Sequence, residues 1–243
     1  DGDGGLGGDE VTATITVNSV NDFPSFNGTD LVFDEDSGSH SFSWASDISA
    51  GPSNENDQLL TFDIVSNDNG DLFDTMPSIT GGLSNVSGTM SFQLSNDKHG
   101  VAEITVRLSD DGGTLNGGDD TYDDKTFTIT VNPIADTPSV TSASTDEDIM
   151  SSSGLVVSRN AVDGAEVTHY KITSILHGDL YASDGTTPIF EGTFITHAVG
   201  NAGLRFDPSS DYHGEASFVI QASTSDGDGG LGGDEVTATI TVN

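Results

Sequence analysis

The first eighteen residues, DGDGGLGGDEVTATITVN, recur unchanged as residues 226–243, a displacement of 225 positions. Unrelated globular sequence does not repeat itself in this way, so the chain reads as a piece of a tandem array that it enters in mid-motif. A shorter period lies inside the long one. The tetrapeptide ITVN ends at Asn18, Asn132 and Asn243, spacings of 114 and 111 residues, each the length of one ordinary domain. The two units match weakly but in order: Asn21-Asp22-Phe23-Pro24 answers Ala135-Asp136-Thr137-Pro138, and Glu35-Asp36 answers Glu147-Asp148. Further on, Asp97-Lys98-His99-Gly100 answers Asp211-Tyr212-His213-Gly214. The expected division is therefore the closing strand of a preceding repeat at 1–18, one domain at 19–132 and a second at 133–243.

Within each unit the apolar residues alternate. Val11, Ala13, Ile15 and Val17 are separated by threonines, and the pattern returns at Phe127, Ile129, Val131 and at Val236, Ala238, Ile240, Val242. Period two is the mark of half-buried strands. Leu60, Phe62, Ile64 form another such face, as do Ala102, Ile104, Val106, Leu108 and Phe218, Ile220, Ala222, while no stretch carries a sustained helical stripe. Short strands parted by Gly, Asn, Asp and Ser clusters predict an all-β chain: two tandem immunoglobulin-like antiparallel β-sandwiches of Greek-key connection, about seven strands each.

Forty acidic side chains against six basic give a formal charge of −34, which excludes a nucleic-acid binder and disfavours an anionic membrane surface. No apolar run approaches the roughly 20 residues needed to span a bilayer. The absence of cysteine excludes disulfides and thiolate metal sites, leaving hydrophobic cores and hard metal ions to supply stability.

The N-D-x-P at Asn21 to Pro24, the Glu35-Asp36 pair a dozen residues later, the acidic Gly-rich loop before the last strand and the closing ITVN together resemble the cadherin-like repeats of large bacterial surface proteins. The likeness is strongest to the extender regions of type I-secreted, RTX-type adhesins, and it covers nearly the whole chain. It implies an extracellular location, calcium ions at the junctions between domains, and partners of two kinds: adjacent repeats of the same chain, and homophilic or host-surface contacts made through the parent protein.

The acidic clusters can be placed on the expected sandwich without that likeness. The chain enters at the top, so the loops after the first strand and before the sixth lie at the bottom, and the loop joining the last two strands lies at the top. Glu35, Asp36 and Asp97 then belong at the bottom of the first domain, Asp136 in the linker, and Asp226 with Asp228 at the top of the second. So many carboxylates at one junction repel one another or take up protons unless a cation joins them. Ca²⁺, which takes 6 to 8 oxygens at roughly 2.3 to 2.6 Å, suits such a cluster better than Mg²⁺ with its strict octahedron and retained water. By the same mapping Asn21, Asp22 and Asp110, with Asp47 or Asp57 as further candidates, line the top of the first domain. Glu147, Asp148 and Asp211 form the matching half-site at the bottom of the second. Ala135 stands where the first linker has Asn21, which withdraws a side-chain oxygen from the complete junction and predicts weaker affinity there. Taken singly, any one of these acids reads as solvating surface charge.

Other signals fail on context. Gly229 to Val236 fits one turn of the calcium-binding nonapeptide roll, but single copies 225 residues apart cannot stack, and the segment reads instead as a flexible Gly-rich hairpin loop. An EF-hand beginning at Asp226 would have Thr237 in place of its closing glutamate. The histidines lack zinc spacing, and no nucleophile elbow or phosphate loop occurs, so no enzyme is expected. The alternative to a calcium-stiffened extender is a carbohydrate- or protein-binding module whose long loop, Ser183 to Phe194, lines a concavity.

Overall fold

The computed structural model describes residues 9–81 and 86–243. The alternation read from the sequence is realised as strand faces. In β7 (Gly100–Asp110), Ala102, Ile104, Val106 and Leu108 are fully buried while their neighbours point to solvent. β7 lies in a sheet with β2 (Leu31–Asp34), β8 (Lys125–Asn132) and β4 (Leu60–Asn67), in the order β2-β8-β7-β4. Facing it is a second sheet of β1 (Ser25–Asn27), β3 (Ser39–Ser49), β6 (Gly88–Leu94) and β5 (Phe73–Thr80), ordered β1-β3-β6-β5. Two packed sheets with buried inner faces make a sandwich. All pairings are antiparallel except β2 with β8, where Leu31 lies opposite Ile129 in parallel register.

Eight strands replace the seven expected because the first strand is split. β1 pairs with β3 in one sheet, then the chain crosses at Gly28 and β2 pairs with β8 in the other. Trp44 sits on that crossing: its Nε1 donates to the Thr29 carbonyl at 2.9 Å, and a Cβ on residue 28 would fall 2.4 Å from the indole. The ring also packs 4.4 Å from Phe127, tying the two sheets together through the core.

The second sandwich repeats the plan with a different interior. β10 (Ala143–Thr145), β12 (His169–Leu176), β15 (Phe194–Thr196), β17 (Gly214–Ser223) and β18 (Leu231–Val242) form one sheet ordered β10-β18-β17-β12-β15. Smaller sheets join β13 (Gly178–Tyr181), β14 (Pro188–Ile189) and β16 (Arg205–Pro208), and pair β9 (Ser139–Val140) with β11 (Val157–Ser158). β10 runs parallel to β18 as β2 does to β8, so the split first strand recurs. One five-residue helix, α1 (His197–Asn201), is too short to leave a periodic trace in the sequence; Thr196 caps it by accepting from the Val199 N–H. The buried apolar residues form two clusters, one from Phe26 to Val131 and one from Ala135 to Val242. Among the described residues no helix is long and apolar enough to cross a membrane.

Two expectations are altered. Residues 9–24 form no strand: Val11, Ile15 and Val17 are 92, 86 and 87% exposed, whereas the identical Ile240 and Val242 in β18 are 0 and 3% exposed. Alternation makes a strand only where a sheet edge and a core accept it. The Gly-rich motif, expected as a flexible hairpin loop, is loop only through Gly230; Gly232 and Gly233 lie within β18. A Cβ at either would come 2.3 Å from backbone atoms of Ala135 or Thr137, so these glycines let the linker pass against the strand.

Candidate metal centre

Two turns of the first sandwich and the linker converge. Asp36 follows β2, Asp97 lies between β6 and β7, and Asp136 lies in the linker; an oxygen of each is within 4.8 Å of the others. Oxygens coordinating one calcium at roughly 2.3 to 2.6 Å are at most about 5 Å apart, so three ligands of a single ion fit this spacing. The backbone fixes two of them. Asp36 and Asp97 adopt left-handed conformations, φ 60° and 54°, and the Asp97 N–H donates to Asp36 Oδ1 at 2.9 Å. Asp tolerates that region better than most residues, and it stands at both turns.

Glu35 is buried beneath this group, 6% exposed. One of its oxygens accepts the Ile134 N–H of the linker at 2.6 Å, and the other is 3.4 Å from His99 Nδ1. The second sandwich contributes from the loop between β11 and β12. Asp163 accepts the N–H groups of Asp136 at 3.0 Å and Asn160 at 3.2 Å, and Glu166 approaches His99 Nε2 at 4.0 Å.

Electrostatics follow from this crowding. The Asp136 carboxyl is pushed up to about 6, first by burial and then by the charges of Asp163, Asp97, Asp36 and Glu35. Asp163 is raised as well, because burial outweighs the two N–H groups it accepts. Such a site carries an excess of negative charge, with Arg159 acting only weakly on Asp163, and its donors are almost all oxygen, the ligand type of hard cations such as Ca²⁺.

Of the residues singled out from the sequence, Glu35, Asp36, Asp97 and Asp136 are brought together. Asp226 and Asp228 are not in this group. Both are exposed in the β17–β18 loop, and Asp228 is taken by Lys171 of β12, 2.6 Å from Nζ. Asp163 and Glu166 stand on the second-sandwich side instead. At the top of the first sandwich, Asn21 donates to Asp110 at 2.9 Å and to the Asp119 carbonyl at 2.8 Å. The Asp22 N–H faces both oxygens of Glu55, at 3.3 and 3.4 Å, and the second oxygen of Asp110 is buried without a partner among the described residues. Asp47 instead accepts from Asn27 at 2.9 Å, and Asp57 is exposed. At the bottom of the second sandwich the Asp211 N–H donates to Asp148 at 3.0 Å, with φ 57° and 60°, repeating the Asp97–Asp36 turn, while Glu147 is exposed.

Glu55 and Asp163 escaped the sequence reading. They are equivalents: each sits on the loop before the third main strand and accepts the N–H of the linker aspartate, Asp22 or Asp136. The signal available was an acid in that loop 33 or 27 positions beyond the linker aspartate. From the loop Ser183 to Phe194, Ser183 lines a concavity of about 140 Å³ beside Arg205.

No family model matches the sequence, and no curated protein sequence matches it. Solved structures similar to it include the human desmocollin-1 ectodomain, at 12% identity and a TM-score of 0.44 over 92% of this chain and 42% of that one. Human CDH23 EC21-23 aligns at 13% identity and a TM-score of 0.45, covering 93% of this chain and 70% of its own. Human protocadherin-24 EC1-2 gives 13% and 0.45 over 92% of this chain and 99% of its own. The chain thus spans less than half the length of the desmocollin ectodomain it matches.

Proposed function

We propose that this chain is a structural extender of a long extracellular adhesin of the bacterial type I-secreted kind, stiffened by calcium where one sandwich meets the next. In this reading residues 19–132 and 133–243 are successive repeats, 1–18 carries the closing-strand sequence of an earlier one, unpaired here over 9–18, and the repeats hold an adhesive tip away from the cell. The observation that carries it is the convergence of Asp36, Asp97 and Asp136 within 4.8 Å across a junction of two loops and a linker. The donor set fits calcium: oxygen ligands, of which Asp136 is raised to about 6 first by burial and then by its like-charged neighbours. Bound calcium would supply the positive charge that turns this repulsion into cohesion.

The chain's own residues prepare the junction. Glu35 holds the linker through the Ile134 N–H, Asp163 holds it through the Asp136 N–H, and Ala135 is buried in the second core. The linker path is thereby set, and the remaining freedom lies in the mutual repulsion of the three aspartates. With calcium scarce inside the producing cell that repulsion persists; millimolar calcium outside saturates sites with dissociation constants of about 10⁻⁴ to 10⁻³ M. Secretion and stiffening are then coupled. The test is the melting temperature in chelator and across a calcium titration, with magnesium as control. A calcium-selective rise is expected; equal melting in chelator and in calcium would defeat the proposal.

A further inference from the structure

The loop between β7 and β8 runs for fourteen residues, 111–124, where its counterpart between β17 and β18 has seven, 224–230. The longer loop walls a concavity of about 350 Å³, lined by Phe23, Asp119, Thr121, Tyr122 and Asp123. It opens into a shallower depression of about 500 Å³ where Arg107 and Asp124 join the wall. The metal-centre reading uses none of these side chains.

Phe23 is 54% exposed and faces Tyr122 with ring centroids 6.2 Å apart and planes inclined at 36°. The Tyr122 ring rests edge-on against core Phe26 at 5.7 Å, and its N–H donates to the Leu108 carbonyl at 2.8 Å. The loop is pinned again by the Asp119 N–H on the Asn21 carbonyl at 3.0 Å and by a bridge between Ser109 and Thr121. A half-exposed aromatic pair on a fixed floor is pre-organised for a ligand.

Charge decides which one. Three carboxylates line the walls against one guanidinium, and Arg107 is neutralised by both oxygens of Asp124, at 2.8 and 3.0 Å. Asp119 accepts the Thr121 N–H at 3.2 Å, and Asp123 makes no hydrogen bond among the described residues. Two carboxylates, Asp119 and Asp123, thus remain in the lining of a concavity that also holds Phe23 and Tyr122, on a protein of formal charge −34 that repels anions. Cations are attracted to ring faces within about 6 Å of the centroid, and more strongly with carboxylates alongside. We infer that the concavity lined by Phe23, Tyr122, Asp119 and Asp123 binds an alkylammonium group, carried either by a lysine side chain of a partner or by a free alkylammonium compound.

The experiment is an amide-resolved NMR titration of the whole chain, at saturating calcium and again in chelator. The probes are choline, N-acetyl-lysine methylamide, the uncharged choline isostere 3,3-dimethylbutan-1-ol, and glucose. Choline or the lysine amide should shift the amides of Thr121, Tyr122 and Asp123, at least about fivefold more tightly than the neutral isostere. Preference for the lysine derivative identifies a peptide source, and preference for choline a free alkylammonium compound. Phe23→Ser and Asp123→Asn, both at exposed positions, should each weaken the charged probe about fivefold without lowering the melting temperature. Equal binding of the neutral isostere, binding of glucose alone, or no shift with any probe overturns the inference. Because the titration is read in both media, its failure is separate from any failure of the calcium reading.

Discussion

Replacing Asp136 by asparagine should raise stability in chelator and shrink the gain that calcium brings. In chelator at pH 7 the native chain keeps this carboxyl ionised although its surroundings raise it from an ordinary 3.8 to about 6. A carboxyl raised on folding opposes folding above the raised value, and the penalty fades as the pH falls through 6 toward 3.8. Two pKa units correspond to about 3 kcal/mol, and partial exposure with solvent screening reduces this to about 1 to 2 kcal/mol. The asparagine side chain is nearly isosteric and uncharged, so Asp136→Asn should stabilise the metal-free protein by that amount at pH 7 and by little at pH 4. At about 4 °C per kcal/mol for a sandwich of this size, the rise in melting temperature is about 4 to 8 °C. With about 10 mM calcium and a dissociation constant of about 10⁻³ to 10⁻⁴ M, the native protein gains about 1.4 to 2.7 kcal/mol per site, most of which the variant forgoes. Differential scanning calorimetry in EDTA and in calcium, at pH 7 and pH 4, reads all four cases. A variant that melts lower than the parent in EDTA, or keeps the full calcium-induced rise, would refute the electrostatic account.

The second-sandwich contribution separates by the same assay: Asp163→Asn should shrink the calcium-induced rise, whereas Asp228→Asn, which removes only an exposed partner of Lys171, should leave it unchanged within about 1 °C. Gly233→Ala should cost at least about 2 kcal/mol in urea unfolding, because φ is +61° and the new Cβ would strike the Thr137 backbone. Ile240→Ala should cost about 2 to 5 kcal/mol while Ile15→Ala, at the same place in the duplicated sequence, stays within about 0.5 kcal/mol, since one side chain is 0% and the other 86% exposed.

Legibility from the sequence followed the range of the interactions. Strand faces such as Ala102 to Leu108 need only their own alternation and a sheet to join, and they stood where the pattern put them. Glu35, Asp36 and Asp97 were legible because they lie at the ends of such strands, in turns whose place in a sandwich is fixed by connectivity. Asp163 was not, since it lies in an irregular loop whose path depends on packing against the linker. Loop position alone places Asp228 at the junction, whereas Lys171, a neighbour across the sheet that sequence distance conceals, pairs with it. The orphan copy of β18 marks the same boundary: a strand pattern states what a segment does when offered an edge, and residues 9–18 are offered none.

The two sandwiches carry the same device at both ends, which bears on how an array of them would respond to calcium. At each bottom an aspartate N–H meets an aspartate carboxylate, both residues left-handed: Asp97 with Asp36, Asp211 with Asp148. At each top a linker aspartate N–H meets an acid of the loop before the third main strand: Asp22 with Glu55, Asp136 with Asp163. The tops differ in how the linker is held. Asn21 donates its amide to Asp110 and the Asp119 carbonyl, whereas Ala135 is buried and its backbone is approached by Gly232. The first top therefore keeps a side-chain amide oxygen, bonded to Gln58 at 2.6 Å, that the second replaces with close packing of the linker on β18. Junctions built on these two tops share a linker aspartate and an acid that accepts its N–H, and differ in how the linker is held, one by polar side chains and the other by glycine-permitted contact. If both kinds alternate with the 225-residue period, calcium should act on them in two stages rather than one, and a calcium titration of a chain containing both should resolve two transitions. A single transition in such a chain would mean that the acids alone set the affinity and that the exchange of Asn21 for Ala135 is neutral.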